Sequence, residues 1–168
     1  MKLRHAFLAA LGAAFVAAAA PPARAADPAY ITFGAGIWDL KRDDERTAEF
    51  RVEYRSNWEL LWIIKPFGGA MLTPNGSFHA FGGLLADIKL PWNLVLTPNL
   101  AVGAYSQGGG NDLGHVVEFR DAIELAYQFE NKAKLGLMLY HMSNANIGDK
   151  NPGIEVLSIS LSIPLGSF

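Results

Sequence analysis

No cysteine occurs among the 168 residues, so disulfides, a thiol nucleophile and thiolate metal sites are all excluded. The compartment stays open, because an oxidising space does not demand disulfides. Charge is scarce as well, at 18% of residues, and nearly balanced, with 14 Lys and Arg against 16 Asp and Glu. Such a chain has no basic field with which to grip a phosphate backbone, which argues against a nucleic-acid partner. Beyond the first 25 residues every apolar run is interrupted within about ten positions, too few for a helical membrane span. What is present is a composition 51% hydrophobic and 11% aromatic, enough to build the core of one domain.

The N-terminus reads as an address. Lys2 and Arg4 precede an Ala-rich apolar run from Ala6 to Ala20, and Pro21, Pro22 and the small residues around Ala23 and Ala25 follow. That is the order of a cleaved secretory signal over 1–25, and the run is shorter than the ~20 residues a membrane helix needs. Cleavage leaves a chain from Ala26 with 11 basic and 16 acidic residues, a net charge of −5.

From Tyr30 onward apolar residues recur with period two, the signature of strands with two unlike faces. Leu157, Ile159, Leu161, Ile163 and Leu165 alternate with Ser158, Ser160 and Ser162. Ala48, Phe50, Val52 and Tyr54 alternate with Glu49, Arg51, Glu53 and Arg55. Val117, Phe119, Ile123, Leu125, Tyr127 and Phe129 oppose Glu118, Arg120, Glu124 and Gln128, with Asp121 breaking the apolar series. A bulge or a functional role would account for that acid.

The pattern predicts eight strands, at 30–38, 46–56, 59–67, 78–88, 92–105, 115–129, 132–143 and 154–165. Long and short connections alternate, as in outer-membrane barrels with short periplasmic turns and long external loops. A soluble lipid-binding barrel would turn the same apolar stripe inward around a ligand. The signal, the small Gly and Ser residues on the polar face and a terminal Phe168, which resembles the assembly signal of outer-membrane proteins, favour the membrane form. The expected fold is therefore an all-β, eight-stranded antiparallel transmembrane β-barrel of the outer membrane, a single domain over 26–168. Hydrocarbon offers backbone groups no partners, so the strands must close into a ring without edges. Eight strands enclose little space, which the Glu and Arg side chains should fill without leaving a pore.

Chemistry concentrates in the last hairpin, at His141-Met142-Ser143-Asn144-Ala145-Asn146 and Asn151-Pro152-Gly153-Ile154-Glu155. Residues two apart on a strand share a face at ~6–7 Å, so His141 and Ser143 are neighbours. Glu155 opens the return strand, within cross-strand reach of ~5 Å between Cβ atoms. Triad logic then makes Ser143 the nucleophile, His141 its base and Glu155 the group that orients the imidazole. By parity the trio continues the apolar stripe of Leu135, Leu137 and Leu139 and of Leu157 and Ile159, so it faces the bilayer and its substrate would be a lipid. An even strand count puts it near the external end, facing the outer leaflet where lipopolysaccharide resides. Against this stands the plainer reading, in which His-x-Ser is an ordinary rim pair and Glu155 a solvated strand-start acid.

His141-x-Ser143-Asn144-Ala145 followed by Asn151-x-Gly153-x-Glu155 resembles the lipid A 3-O-deacylases of the PagL type, over about the last thirty residues. The resemblance implies an eight-stranded outer-membrane barrel that hydrolyses the 3-position ester of lipid A with a Ser-His-Glu triad and neither metal nor cofactor. It also implies Asn151 as a side-chain oxyanion donor and the backbone N–H of Asn146 as the second, with Asn144 shaping the turn or assisting. The implied partners are lipid A or lipopolysaccharide as substrate and outer-membrane lipid, and a homodimer stays open. Two alternatives remain. One is an outer-membrane phospholipase, which shares His-x-Ser but takes an amide third group and calcium; the other is a non-catalytic structural or adhesive barrel.

Other features read as scaffold. His79 and His115 are expected at the external rim, Gly108-Gly109-Gly110 as a flexible loop, and Asp43-Asp44-Glu45 beside Lys41, Arg42 and Arg46 as a solvated loop tip. Trp38, Trp58, Trp62 and Trp92 suit an interfacial aromatic belt.

Overall fold

The computed structural model describes residues 27–166. The expected signal segment 1–25, the start at Ala26 and the terminal Phe168 lie outside the described residues.

Eight long strands form the chain: β1 (Ala29–Trp38), β2 (Thr47–Arg55), β3 (Ile64–Leu72), β4 (Phe78–Ala86), β5 (Leu94–Ser106), β6 (Val117–Gln128), β7 (Lys134–Ser143) and β8 (Ile154–Leu165). Strand β4 breaks at Asp87 and resumes at Ile88–Lys89 in the same register against β5. Each strand pairs antiparallel with its sequence neighbours, and β1 pairs with β8, from Ala29 opposite Leu165 to Trp38 opposite Val156. The ring is closed, with each long strand paired on both sides, the condition that a bilayer imposes on a sheet.

Alternation decides the two faces. Phe33, Phe50, Val52, Tyr54, Leu100, Leu125, Leu137, Ile159 and Leu161 are exposed on the outer wall, while Glu49, Arg51, Glu53, Arg55, Arg120, Glu124 and Lys134 are buried within. This is the inversion of a soluble barrel, so the apolar stripe faces outward.

The lumen is filled in layers. At the end where β7 meets β8, Trp38 stacks on Tyr105 with centroids 6.2 Å apart, and Met71, Leu113, Met138, Met142 and Ile154 pack around them. Mid-barrel, Arg55 donates to both oxygens of Glu124 at 3.0 and 2.8 Å and to Glu53, whose other oxygen accepts from Arg120. Arg51 pairs with Glu49 and Glu53. At the far end Lys134 and Lys65 meet Asp87, and Lys89 meets Asp27. Glu118 is an exception to this pairing, for both its carboxylate oxygens are buried without a partner among the described residues.

Several local expectations need correction. The third strand runs from Ile64 to Leu72 rather than over 59–67, so 56–63 is a substantial connection and 73–77 a compact one. Long and short connections therefore do not alternate strictly. The glycines at 68 and 69 lie inside the strand because its backbone is crowded there: a Cβ on Gly69 would sit 2.3 Å from the Val52 carbonyl oxygen. His79 is not on the rim but fully buried in the lumen, its imidazole lying over Gly103. Trp38 is likewise internal, whereas Trp58, Trp62 and Trp92 are exposed at the opposite end of the barrel, as a belt requires.

Candidate active site

Registry places the reactive residues. Strand β7 runs Leu135, Leu137, Leu139, His141, Ser143 along the outer wall, and its partner β8 returns as Glu155, Leu157, Ile159, Leu161. His141 stands directly opposite Glu155, and the imidazole Nδ1 lies 3.1 Å from Glu155 Oε1. The side chains are 37% and 22% exposed, so the pair is open at the wall yet partly screened. With Nδ1 on the carboxylate, Nε2 is left to exchange a proton.

Ser143 ends β7 on the same outward face, opposite Phe119 of β6. Its hydroxyl makes no hydrogen bond to another described residue. The structure thus joins two members of the expected trio and sets the third two residues along the same face.

Gly153 makes room for the ring. Its φ is +60°, and a Cβ there would lie 2.7 Å from His141 Cε1, so both the turn and the imidazole require glycine. The imidazole consequently packs on the backbone that leads into β8.

The connection from Asn144 to Gly153 is held by its own amides. Asn144 is fully buried; its Nδ2 donates to the carbonyls of Leu113 and Lys150, both at 2.7 Å, and its Oδ1 accepts the Asn146 N–H at 2.9 Å. Asn151 Oδ1 accepts the Asn144 N–H at 3.1 Å, and its Nδ2 donates to Asn146 Oδ1 at 3.3 Å. Ala145 and Asn146 are both left-handed, with φ of 54° and 64°. The Asn146 N–H, a candidate oxyanion donor by resemblance, is thus engaged by Asn144, and Asn151 retains one free amide hydrogen.

Sequence reasoning missed the segment that braces this hairpin. The 39–46 connection is no free loop tip. Leu40 N–H donates to the Glu155 carbonyl at 2.9 Å, Arg42 donates to the Gly153 carbonyl at 2.9 Å, and Lys41 Nζ pairs with Glu155 Oε1. Buried Asp39 anchors the segment, accepting from Arg42 and from Asn111, whose own oxygen accepts the Trp38 indole N–H. Lys41 and the run Asp43, Asp44, Glu45 and Arg46 are exposed to solvent, as expected for the acidic tip itself. The signal was Asp39 itself, an acid directly after a strand and ahead of two cations, the composition of an Asx-type turn.

Asp121 is also resolved in part. The β6–β7 register is unbroken through it, so there is no bulge, and it stands opposite His141 on the exposed face. His115 lies at the approach to β6, its Nδ1 accepting the Val117 N–H. Gly108 packs against Gly76 of the neighbouring turn.

Comparison with known proteins bears on this geometry. Residues 46–164 match the family described as lipid A 3-O-deacylase (PagL). The lipid A deacylase PagL of Pseudomonas aeruginosa is 34% identical over 68 residues, a stretch covering 39% of this chain and 39% of that protein. The chain therefore aligns with well under half the length of that curated relative. A solved structure described as the outer membrane enzyme PagL superposes with a TM-score of 0.63 at 19% identity, covering 81% of this chain and 99% of the other, a likeness of fold.

Proposed function

The chain belongs to the lipid A 3-O-deacylase family, and from that membership we propose that it is an outer-membrane esterase removing the ester-linked acyl chain from position 3 of lipid A. The observation that carries the reading is the His141–Glu155 pair on the outward wall, 3.1 Å apart, beside Ser143 on a largely apolar surface that Asp121 also interrupts. Ionisable groups on a lipid-facing surface cost free energy and need a reason to be there.

In this mechanism Ser143 Oγ attacks the acyl carbonyl while His141 Nε2 takes its proton, and Glu155, accepting from Nδ1–H, fixes the tautomer and offsets the imidazolium charge. The oxyanion draws on the free Asn151 amide hydrogen and on the Asn146 N–H, which exchanges Asn144 for the substrate oxygen. Collapse expels the sugar oxygen, which takes the proton from His141. Water, activated by the same imidazole, then hydrolyses the acyl-serine and releases the fatty acid. In this reading residues 1–25 export the chain, and the even strand count supports a site in the outer leaflet, with the acyl chains of lipid A beside β7 and β8.

Mass spectrometry of lipid A from cells expressing the protein tests the reading. Wild type should remove one 3-position acyl chain and Ser143→Ala none, a loss of at least ~10³-fold. Unchanged lipid A with folded wild type, or equal deacylation by Ser143→Ala, would overturn it.

A further inference from the structure

Two ionisable side chains inside the lumen take no part in the reaction. His79 and Glu118 are both fully buried, and neither imidazole nitrogen nor either carboxylate oxygen has a hydrogen-bond partner among the described residues. Register brings the two together. Glu118 on β6 stands opposite Gly103 on β5, and the His79 ring leans from β4 over that same glycine. A Cβ on Gly103 would lie 2.5 Å from His79 Nε2, so glycine is what leaves the imidazole its place. With Cβ atoms of directly opposed residues ~4.5–5.5 Å apart, a Glu118 side chain turned across Gly103 is long enough to bring its carboxylate to Nε2.

Charge points the same way. The buried mid-barrel acids Glu49, Glu53, Glu118 and Glu124 share the lumen with three cations, Arg51, Arg55 and Arg120. Arg51 pairs with Glu49 and Glu53, Arg55 with Glu53 and Glu124, and Arg120 with Glu53, which leaves Glu118 without one. The layer is therefore one positive charge short, and an uncompensated carboxylate out of water is strongly unfavourable. The other residues facing the couple do not supply that charge. Met71 of β3 and Tyr105 of β5 stand opposite His79, and the Tyr105 hydroxyl donates to the Asn111 carbonyl. Phe81 follows on β4, with ring centroids 5.2 Å apart, and the Arg120 guanidinium lies over it at 4.2 Å while donating to Glu53 and Asn99. Asn144, one register step beyond the Phe119–Ser143 pair, has its amide bonded to the Leu113 and Lys150 carbonyls. We propose that His79 and Glu118 hold one proton between them across Gly103, and that this proton is the positive charge the lumen lacks. It belongs to the pair rather than to either residue.

Between the ordinary carboxylate and imidazole values, ~4.3 and ~6.5, an unfolded chain also binds one proton at these two residues, so the couple adds no pH dependence there. Above ~6.5 the unfolded chain releases its proton while the folded pair retains one, and stability then falls as pH rises until the pair itself ionises. Urea unfolding of the protein from lipid vesicles, followed from about pH 4 to about pH 9, tests this. Relative to Glu118→Gln, the wild-type unfolding constant should stay level to ~pH 6.5 and then rise by up to tenfold per pH unit, the response of one proton. His115 and His141 titrate in every variant and cancel in the difference. In His79→Gln the carboxyl must hold the proton alone, and the rise should begin near ~pH 4.3 instead. Identical profiles for wild type and Glu118→Gln would mean that Arg120 already neutralises the acid and would overturn the proposal. A His79→Gln rise that begins where the wild-type rise does would leave the imidazole no share in the proton and overturn it equally. Should Glu118→Gln not fold, as read by heat-dependent gel mobility, the displacement of the onset between wild type and His79→Gln decides by itself.

Discussion

In the lumen, Arg55 meets Glu53 and Glu124 through four hydrogen bonds of 2.8–3.0 Å, all three side chains almost wholly out of solvent. On the outer wall, His141 and Glu155 share a single contact of 3.1 Å, are partly exposed, and have Asp121 beside them, which forms no ion pair or hydrogen bond among the described residues. The same residue types thus serve two ends. Where donors and acceptors are matched inside a closed cylinder, charge holds the strands together. Where fewer bonds hold them, on an apolar surface, they stay open at the wall, as the proposed reaction requires. The difference arises from strand parity alone, since Arg120 and Asp121 are adjacent in sequence and belong to opposite categories.

Breaking a lumen pair should give the largest change in stability. Arg55→Leu leaves Glu53 and Glu124 short of a partner in the interior and should cost about 3–5 kcal/mol in urea unfolding from vesicles, while turnover per folded molecule is little changed. The wall should answer in the opposite sense. Glu155→Gln should leave unfolding within about 1 kcal/mol, since exposed pairs contribute little. It should lower kcat by at least ~10²-fold, because the imidazole loses both its orientation and the offset to its charge.

Gly153 joins the two categories, being a backbone requirement that serves the wall. Gly153→Ala forces a methyl group against the imidazole at a φ that favours glycine. It should cost about 1 kcal/mol of stability and about tenfold in kcat, read on the same two assays.

The smallest effect belongs to the outer loops. Lys150 and the Gly114 N–H, both bonded to Asp112, hold its carboxyl below the usual carboxylate range. A depressed value means that the tether is fully present above the ordinary range near pH 4 and is lost as pH falls through the lower, folded value. The protection factor of the Gly114 amide in hydrogen exchange should therefore fall only in acid, and Asp112→Asn should remove that dependence.

Much of this contrast was legible in the sequence because a two-residue period has only two outcomes. The pattern from Leu157 to Leu165 placed β8, and the pairing of His141 with Glu155 followed from a single hairpin. What escaped depended on partners distant in the chain. Gly68 and Gly69 resemble a loop until the Val52 backbone is seen beside them, and the apolar Leu60–Ile63 run resembles a strand until it is found exposed in a turn closed by backbone bonds between Leu60, Leu61 and Ile64. Lys41 and Arg42 resemble a solvated tip because nothing near them in sequence marks Gly153 and Glu155, more than a hundred residues on, as their partners. Trp38 and His79 follow the same logic, being internal by parity where strand-end position suggested a rim. The proposed oxyanion donors are the least readable of all, since the amides of Asn144, Asn146 and Asn151 are engaged in holding their own loop.

The central claim is that a serine on the outer wall of the cylinder is activated there and reached from the bilayer. Protein reconstituted in lipid vesicles and treated with a long-chain alkyl fluorophosphonate, followed by peptide mass spectrometry, examines it directly. The account predicts a single adduct on Ser143 that vanishes in His141→Ala. An adduct on another residue, or labelling of Ser143 that is indifferent to His141, would contradict it.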